Sequence, residues 1–104
     1  MSQPDWDHAL AQKLDGAVVL VGLTWNDAEG PRQEQLFGTV MKVDSHEGIT
    51  LRLEGSRSGE IYNLPPDLEA FRPAAPGSYR LRETGESVID PDYTATWAIN
   101  PPKN

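Results

Sequence analysis

The chain has 104 residues and a formal net charge of −7, from 16 acidic and 9 basic side chains, so its overall field repels nucleic-acid phosphate and anionic membranes. It contains no cysteine, which excludes disulfides, thiolate metal sites and thiol nucleophiles. The length predicts one domain. We expect it in the cytoplasm, because no apolar run approaches the roughly 20 residues of a membrane span and the N-terminal stretch lacks the basic and apolar regions of a signal peptide.

A short N-terminal helix is predicted over residues 4–14. Ser2 is placed to cap it, Pro4 suits its first turn, and its apolar side chains recur at helical spacing. Gly16 follows where a left-handed C-cap residue is expected. We expect this helix to cover one end of a sheet, with Trp6 as a packing anchor.

Strand patterns dominate residues 17–64, which we predict to form the core strands of a small barrel. The rest of the chain is organised around residues 36–53, where two apolar runs of strand period flank a tight polar turn at 44–48. Gly38 interrupts the first run and is expected to allow the bend that curls the sheet. The bend should enclose four side chains together: Phe37, Met41, Ile49 and Leu51.

The C-terminal part is divided by proline and glycine. Residues 65–76 are expected to be a Pro-rich connection with one helical turn at 67–71. Residues 77–100 carry two further strand patterns joined by a glycine-containing turn, and then a last strand from Tyr93. The predicted fold is therefore mainly β, a small bent barrel with a short N-terminal helix and an additional C-terminal hairpin and strand.

Residues 14–53 resemble the first conserved motif of the Sm-like family, the small bent β-barrels of RNA-associated rings. The matching features are a short helix, the alternating apolar residues of 19–23, the pair Phe37-Gly38 and the turn sequence VDSHEGITL at 43–51. The resemblance implies an Sm-like barrel that self-associates. The remainder of the chain resembles the C-terminal part of small bacterial proteins to which no activity attaches.

The family resemblance also implies a binding site for single-stranded RNA. Asp44 and His46 match the turn that holds and stacks on a uracil in that family, and Gly48 stands where the family has an asparagine. The family's second motif, a hydrophobic-Arg-Gly segment, is absent. Four arginines could supply phosphate contacts as a basic stripe. They are Arg52, Arg57, Arg80 and Arg82.

Each candidate site also has a structural interpretation. Asp44, His46 and Glu47 could serve in metal binding or acid–base chemistry, but an Asp that opens a turn commonly bonds its own backbone. The loop GSRSG at 55–59 could cradle a phosphate, or it could be a flexible hairpin tip. The C-terminal arginines could bind anions, or pair with neighbouring glutamates across strands.

Three functions follow from these features. The leading one is a non-enzymatic binding or assembly module that self-associates through exposed strand edges. The second is RNA binding at the turn of Asp44 and His46. The third is an acidic, immunity-type inhibitor of a basic protein partner. We expect no catalytic residue, no metal and no cofactor, because the sequence offers no nucleophile motif and only two histidines.

Overall fold

A computed structural model describes residues 6–27, 29–82 and 84–99, which form one short helix and eight strands. The helix, α1, spans His8–Leu14, and single turns of 3-10 helix occupy Gly55–Arg57 and Leu68–Ala70. The strands are β1 Val18–Asp27, β2 Gly30–Asp44, β3 Gly48–Leu53, β4 Ile61–Leu64, β5 Phe71–Pro73, β6 Ser78–Arg80, β7 Ser87–Ile89 and β8 Tyr93–Ile99. The predicted mainly β class is confirmed.

Six of these strands form one sheet in the order β4-β3-β2-β1-β8-β5, and β6 pairs with β7 in a separate small sheet. Neighbours in the main sheet are antiparallel, except that β8 runs parallel to β1. The last strand of the chain therefore returns to the side of the first. Strand-by-strand patterning does not reveal such a long-range parallel pairing.

The sheet is not closed into the predicted barrel, because β4 and β5 are its two edges and do not pair with each other. Both edge strands are short, with four residues in β4 and three in β5. Proline also ends each of them: Pro65 directly follows β4 and Pro73 is the last residue of β5. Proline cannot donate a backbone hydrogen bond, so each proline limits the length of its edge strand.

One face of the main sheet holds the larger core. Alternate residues of β1 and β3 point to this face, as the period-two patterns predicted. Helix α1 covers one end of it through Leu14, which is fully buried, and Trp6 packs against the same core as expected. The buried residues are Leu14, Val19, Val21, Leu23, Leu36, Val40, Ile49, Leu51, Leu53, Leu64, Leu68, Phe71 and Ala95.

Gly38 lies in the middle of β2, where β3 approaches closely. A Cβ atom at position 38 would overlap the backbone carbonyl oxygen of Arg52 and lie 3.0 Å from the Cα of Leu53. The register between β2 and β3 shifts at Met41, which is the extra residue of a β-bulge. The irregularity predicted at Gly38 thus lies three residues later, and Gly38 provides the space for close strand contact.

Because of the bulge, the predicted enclosure of Phe37, Met41, Ile49 and Leu51 in one core is wrong. Ile49 and Leu51 are fully buried in the larger core, but Met41 is 52% exposed. The extra residue shifts the alternation of β2 by one position. Val40 and Val43 therefore both pack against the core, although residues three apart in a regular strand point to opposite faces. Phe37 points to the opposite face of the sheet and belongs to a second cluster.

The second cluster lies on the opposite face of the main sheet, between it and the small β6–β7 sheet. Leu81 and Val88 are buried there together with Leu20 of β1, and Phe37 packs against them. The backbone N–H of Ser56 donates a 2.9 Å hydrogen bond to the Glu86 carboxylate and ties the hairpin to the main sheet. The predicted C-terminal hairpin is therefore present, docked as a cover on one side of the sheet.

Several predicted boundaries change. Helix α1 begins at His8, with Asp7 as its N-cap accepting a 3.0 Å hydrogen bond from the Leu10 N–H, whereas the predicted cap at Ser2 lies outside the described residues. Gly16 has the expected left-handed conformation, with φ of +82°. The Pro-rich connection contains β5, a strand the prediction missed because its three residues form no pattern of their own. No helix among the described residues is long and apolar enough to cross a membrane.

Candidate interaction surface

The predicted binding turn is closed by its own hydrogen bonds. One carboxylate oxygen of Asp44 accepts from the backbone N–H groups of His46 at 2.7 Å and Glu47 at 2.9 Å. These bonds, that from Glu47 first, lower the pKa of the Asp44 carboxyl, since they favour its charged form. Lys42 forms a 2.9 Å ion pair with Glu47 across the same turn. Asp44 therefore acts as the structural acceptor of the turn in this fold.

Asn63 of β4 also contacts this turn, although no sequence motif marks it. Its amide nitrogen donates to the backbone oxygen of Glu47 at 2.7 Å, and its amide oxygen accepts from the Thr50 hydroxyl at 3.0 Å. The contact depends on the pairing of β4 with β3. Only the tertiary structure brings these residues together, because 16 positions separate Asn63 from Glu47.

The acid dependence of stability is expected to be smaller in an Asp44→Asn variant. The folded-state pKa of Asp44 lies below its unfolded value, so its contribution is full above about pH 4 and disappears as the pH falls through the folded-state pKa. Urea unfolding at a series of pH values measures the slope. Asp67→Asn, the same change at an exposed position outside this turn, is the control. A wild-type slope in Asp44→Asn would contradict the assignment.

Two arginines of the predicted stripe, Arg52 and Arg57, contact glutamates at the end of β3 away from the Asp44 turn. Arg57 forms ion pairs with Glu34 at 3.0 Å and Glu60 at 3.1 Å, and the hydrogen bond to Glu60 is the main cause that raises its pKa. The Arg52 guanidinium lies 3.9 Å from the Glu54 carboxylate. These arginines thus face carboxylates of the same chain.

The two arginines near β6 take different positions. Arg80 is exposed on β6. Arg82 follows that strand and donates to Gln35 through its backbone at 2.8 Å and to Gln33 through its side chain at 3.3 Å. Residues 48–53 span about 16 Å at the rise of a β-strand. Arg52 and Arg57 therefore lie towards the end of β3 that is opposite the turn of Asp44.

The GSRSG loop uses its backbone donors within the chain. Besides the bond from Ser56 to Glu86, the N–H groups of Ser58 and Gly59 donate to the carbonyls of Gly55 and Leu53, each at 3.1 Å. A phosphate cradle needs backbone N–H groups that converge on an empty site, whereas these three N–H groups already have acceptors within the chain.

Among the described residues, no group of three or more His, Cys, Asp or Glu side chains could hold a metal ion.

A gap with an apolar floor opens between β4 and the distal half of β8. We call it the open seam. On one side is the outer edge of β4, and on the other is β8 beyond Ala95, where the pairing with β5 stops. The groove has a volume of about 420 Å³. It is lined by Leu23, Tyr62, Asn63, Leu64, Pro65, Trp97 and Ala98.

Aromatic side chains shape the floor of the open seam. Trp97 packs edge-on against Phe71, with ring centroids 5.5 Å apart and an interplanar angle of 80°. Its indole nitrogen is buried without a hydrogen-bond partner among the described residues. Tyr62 lies across the groove, and burial raises the pKa of its phenol, with the nearby Glu34 carboxylate adding to the effect.

The edge of β4 is exposed. Ile61 is 60% exposed, one of three large apolar side chains with this property among the described residues, together with Met41 and Ile89. Within the described part of the chain no strand pairs with β4 on the side away from β3. A short strand edge with an apolar side chain can accept another strand through backbone hydrogen bonds.

Comparison of the chain with protein-family models, with curated proteins and with solved structures found no match.

Proposed function

We propose that the protein is a non-enzymatic binding and assembly module that self-associates by adding a strand at the open seam. The observation that carries this proposal is the seam itself, where the edge of β4 and the unpaired side of β8 flank an apolar groove. Backbone hydrogen bonds to a strand edge supply affinity, and the apolar floor adds burial of side chains.

Pairing at this edge would also bury apolar surface that the fold of one chain leaves exposed. Addition of a strand buries the exposed Ile61 side chain and covers the groove in front of Trp97. It extends the sheet beyond β4, in keeping with the self-associating, Sm-like small barrel that residues 14–53 resemble.

The polar clusters of the chain support a non-enzymatic role. The Asp44 carboxylate is engaged by the backbone of its turn, and the Arg57 guanidinium by two glutamates. These contacts are of the kind that stabilise loops. The lack of cysteine fits a reducing compartment such as the cytoplasm.

Ile61→Lys is expected to abolish self-association. A lysine on an edge strand carries a strongly hydrated charge to the place where another strand would pack, and this opposes edge-to-edge pairing. Light scattering after gel filtration, over a series of concentrations, measures the mass. The wild type should exceed the 11.5 kDa of one chain, and Ile61→Lys should remain at that mass.

Ile89→Lys is the matched control, because Ile89 is similarly exposed at 66% but lies on β7, away from the seam. It should associate like the wild type. A wild-type chain that remains at the mass of one copy at every concentration would refute self-association. Equal loss of association in both variants would show that general surface hydrophobicity, and not the seam, drives assembly.

A further inference from the structure

We infer that the strand added at β4 is β4 of a second copy, paired antiparallel about a two-fold axis that passes by Tyr62. This inference rests on the proposed function and specifies its partner and its register. It follows from the hydrogen-bond directions of β4 and from the position of a single proline.

The ladder between β3 and β4 determines which backbone groups of β4 point outward. The N–H of Leu53 donates to the carbonyl of Glu60 at 2.8 Å, in the same register as the β3–β4 ladder. In an antiparallel pair, alternate residues direct both backbone groups to the same neighbour. Tyr62 therefore faces β3, whereas Ile61 and Asn63 direct their N–H and C=O groups outward.

Three antiparallel registers would bring these outward groups together, and two of them leave a carbonyl of β4 without a donor. If Ile61 paired with Ile61 of the second copy, the Asn63 carbonyl would face Gly59, whose N–H already donates to Leu53. If Asn63 paired with itself, the Ile61 carbonyl would face Pro65, which has no N–H. Pairing of Ile61 with Asn63 in both directions gives each outward N–H and C=O group of these two residues a partner, in four backbone hydrogen bonds.

This register also matches the side chains. It places Tyr62 opposite Tyr62 of the second copy on the face of the larger core, next to the apolar floor of the open seam. Ile61 lies beside Asn63 on the other face, and Glu60 faces the apolar Leu64. No like charges face each other directly within residues 60–64, so strand pairing meets no direct electrostatic penalty.

Single cysteines test the register, since the native chain contains none. A non-hydrogen-bonded antiparallel pair has its Cα atoms about 4.5 Å apart, within the range that a disulfide spans. Under mild oxidation, Tyr62→Cys should form a covalent dimer at least about tenfold faster than Ile89→Cys, because pairing holds its two thiols together. Ile61→Cys is the control within β4: its two sulfurs would start from Cα atoms roughly 8 Å apart, beyond disulfide reach.

Amide hydrogen exchange of the wild type gives a second measurement that does not depend on a variant's folding. The amides of Ile61 and Asn63 should be protected at high concentration and lose that protection on dilution. If the protein self-associates but these amides exchange freely at every concentration, the register is wrong while the proposed function stands. A slow Tyr62→Cys crosslink in a folded variant would likewise overturn the register alone. A wild type that is monomeric at every concentration overturns both proposals.

Discussion

Gly38→Ala is expected to destabilise the protein by about 3 kcal/mol or more, at the upper end of what overpacking costs. The added methyl group would overlap the Arg52 carbonyl and press on the Cα of Leu53. Both obstacles are backbone atoms of a paired strand, so neither can rotate away. Relief requires β3 to move away from β2 in the centre of the sheet. Chemical denaturation of the folded protein measures the free energy of unfolding.

Gly22→Ala is the matched control for this prediction. Gly22 is also an interior strand glycine, in β1, but a Cβ atom there would meet the nearest atom, a methyl group of Thr96, at an ordinary 3.6 Å. Alanine reduces the conformational freedom of the unfolded chain, so Gly22→Ala should be neutral or stabilising by up to about 1 kcal/mol. Equal losses of stability at positions 22 and 38 would show that strand propensity, and not the close approach of β3, determines the effect of both substitutions.

Leu51→Ala is expected to lower the free energy of unfolding by about 3 kcal/mol. Leu51 is fully buried at the centre of β3, opposite Val40 on one side and Tyr62 on the other. Truncation removes apolar contact and leaves a cavity that backbone paired on both sides cannot collapse to fill. The same measurement applies as for Gly38.

Met41→Ala provides the comparison on the neighbouring strand. Met41 is 52% exposed at the bulge, so its truncation should change stability by less than about 0.5 kcal/mol, as is usual for surface positions. The strand pattern alone predicts that Met41 and Leu51 are enclosed together. Comparable losses of unfolding free energy in Leu51→Ala and Met41→Ala would mean that Met41 is buried in solution and that the bulge is misplaced.

The two edges of this sheet differ in their capacity to accept a further strand. β5 ends in Pro73 and contributes only three residues, so a further strand has little ladder to join. β4 offers two outward residues without proline, and one of them is the exposed Ile61. Edge strands that are neither charged nor covered are those through which chains associate.

The local elements follow from the sequence because their causes are local. Alternation of apolar residues predicted which faces of β1 and β3 are in the core, and the turn at 44–48 carries an aspartate that bonds its own backbone. The helix was predicted correctly as an element, although its described start depends on Asp7 rather than Ser2. These patterns need no knowledge of distant residues.

The candidate site depended on contacts between distant parts of the chain. The parallel return of β8 beside β1, the bulge at Met41 and the contact of Asn63 with the turn all join residues whose separation in sequence leaves no periodic signal. Among the predicted binding residues, the turn of Asp44 and the pair Arg52 and Arg57 lie towards opposite ends of β3, because strand order, not residue type, places them.

Length, charge and the period of apolar residues were sufficient to determine a mainly β chain with a short helix and a C-terminal hairpin. Tertiary structure alone decided that the sheet stays open, since the strand order makes β4 and β5 its two edges and these do not pair with each other. Both edge strands are short, with a proline beside β4 and another within β5. The gap that results is the surface on which the proposed assembly depends.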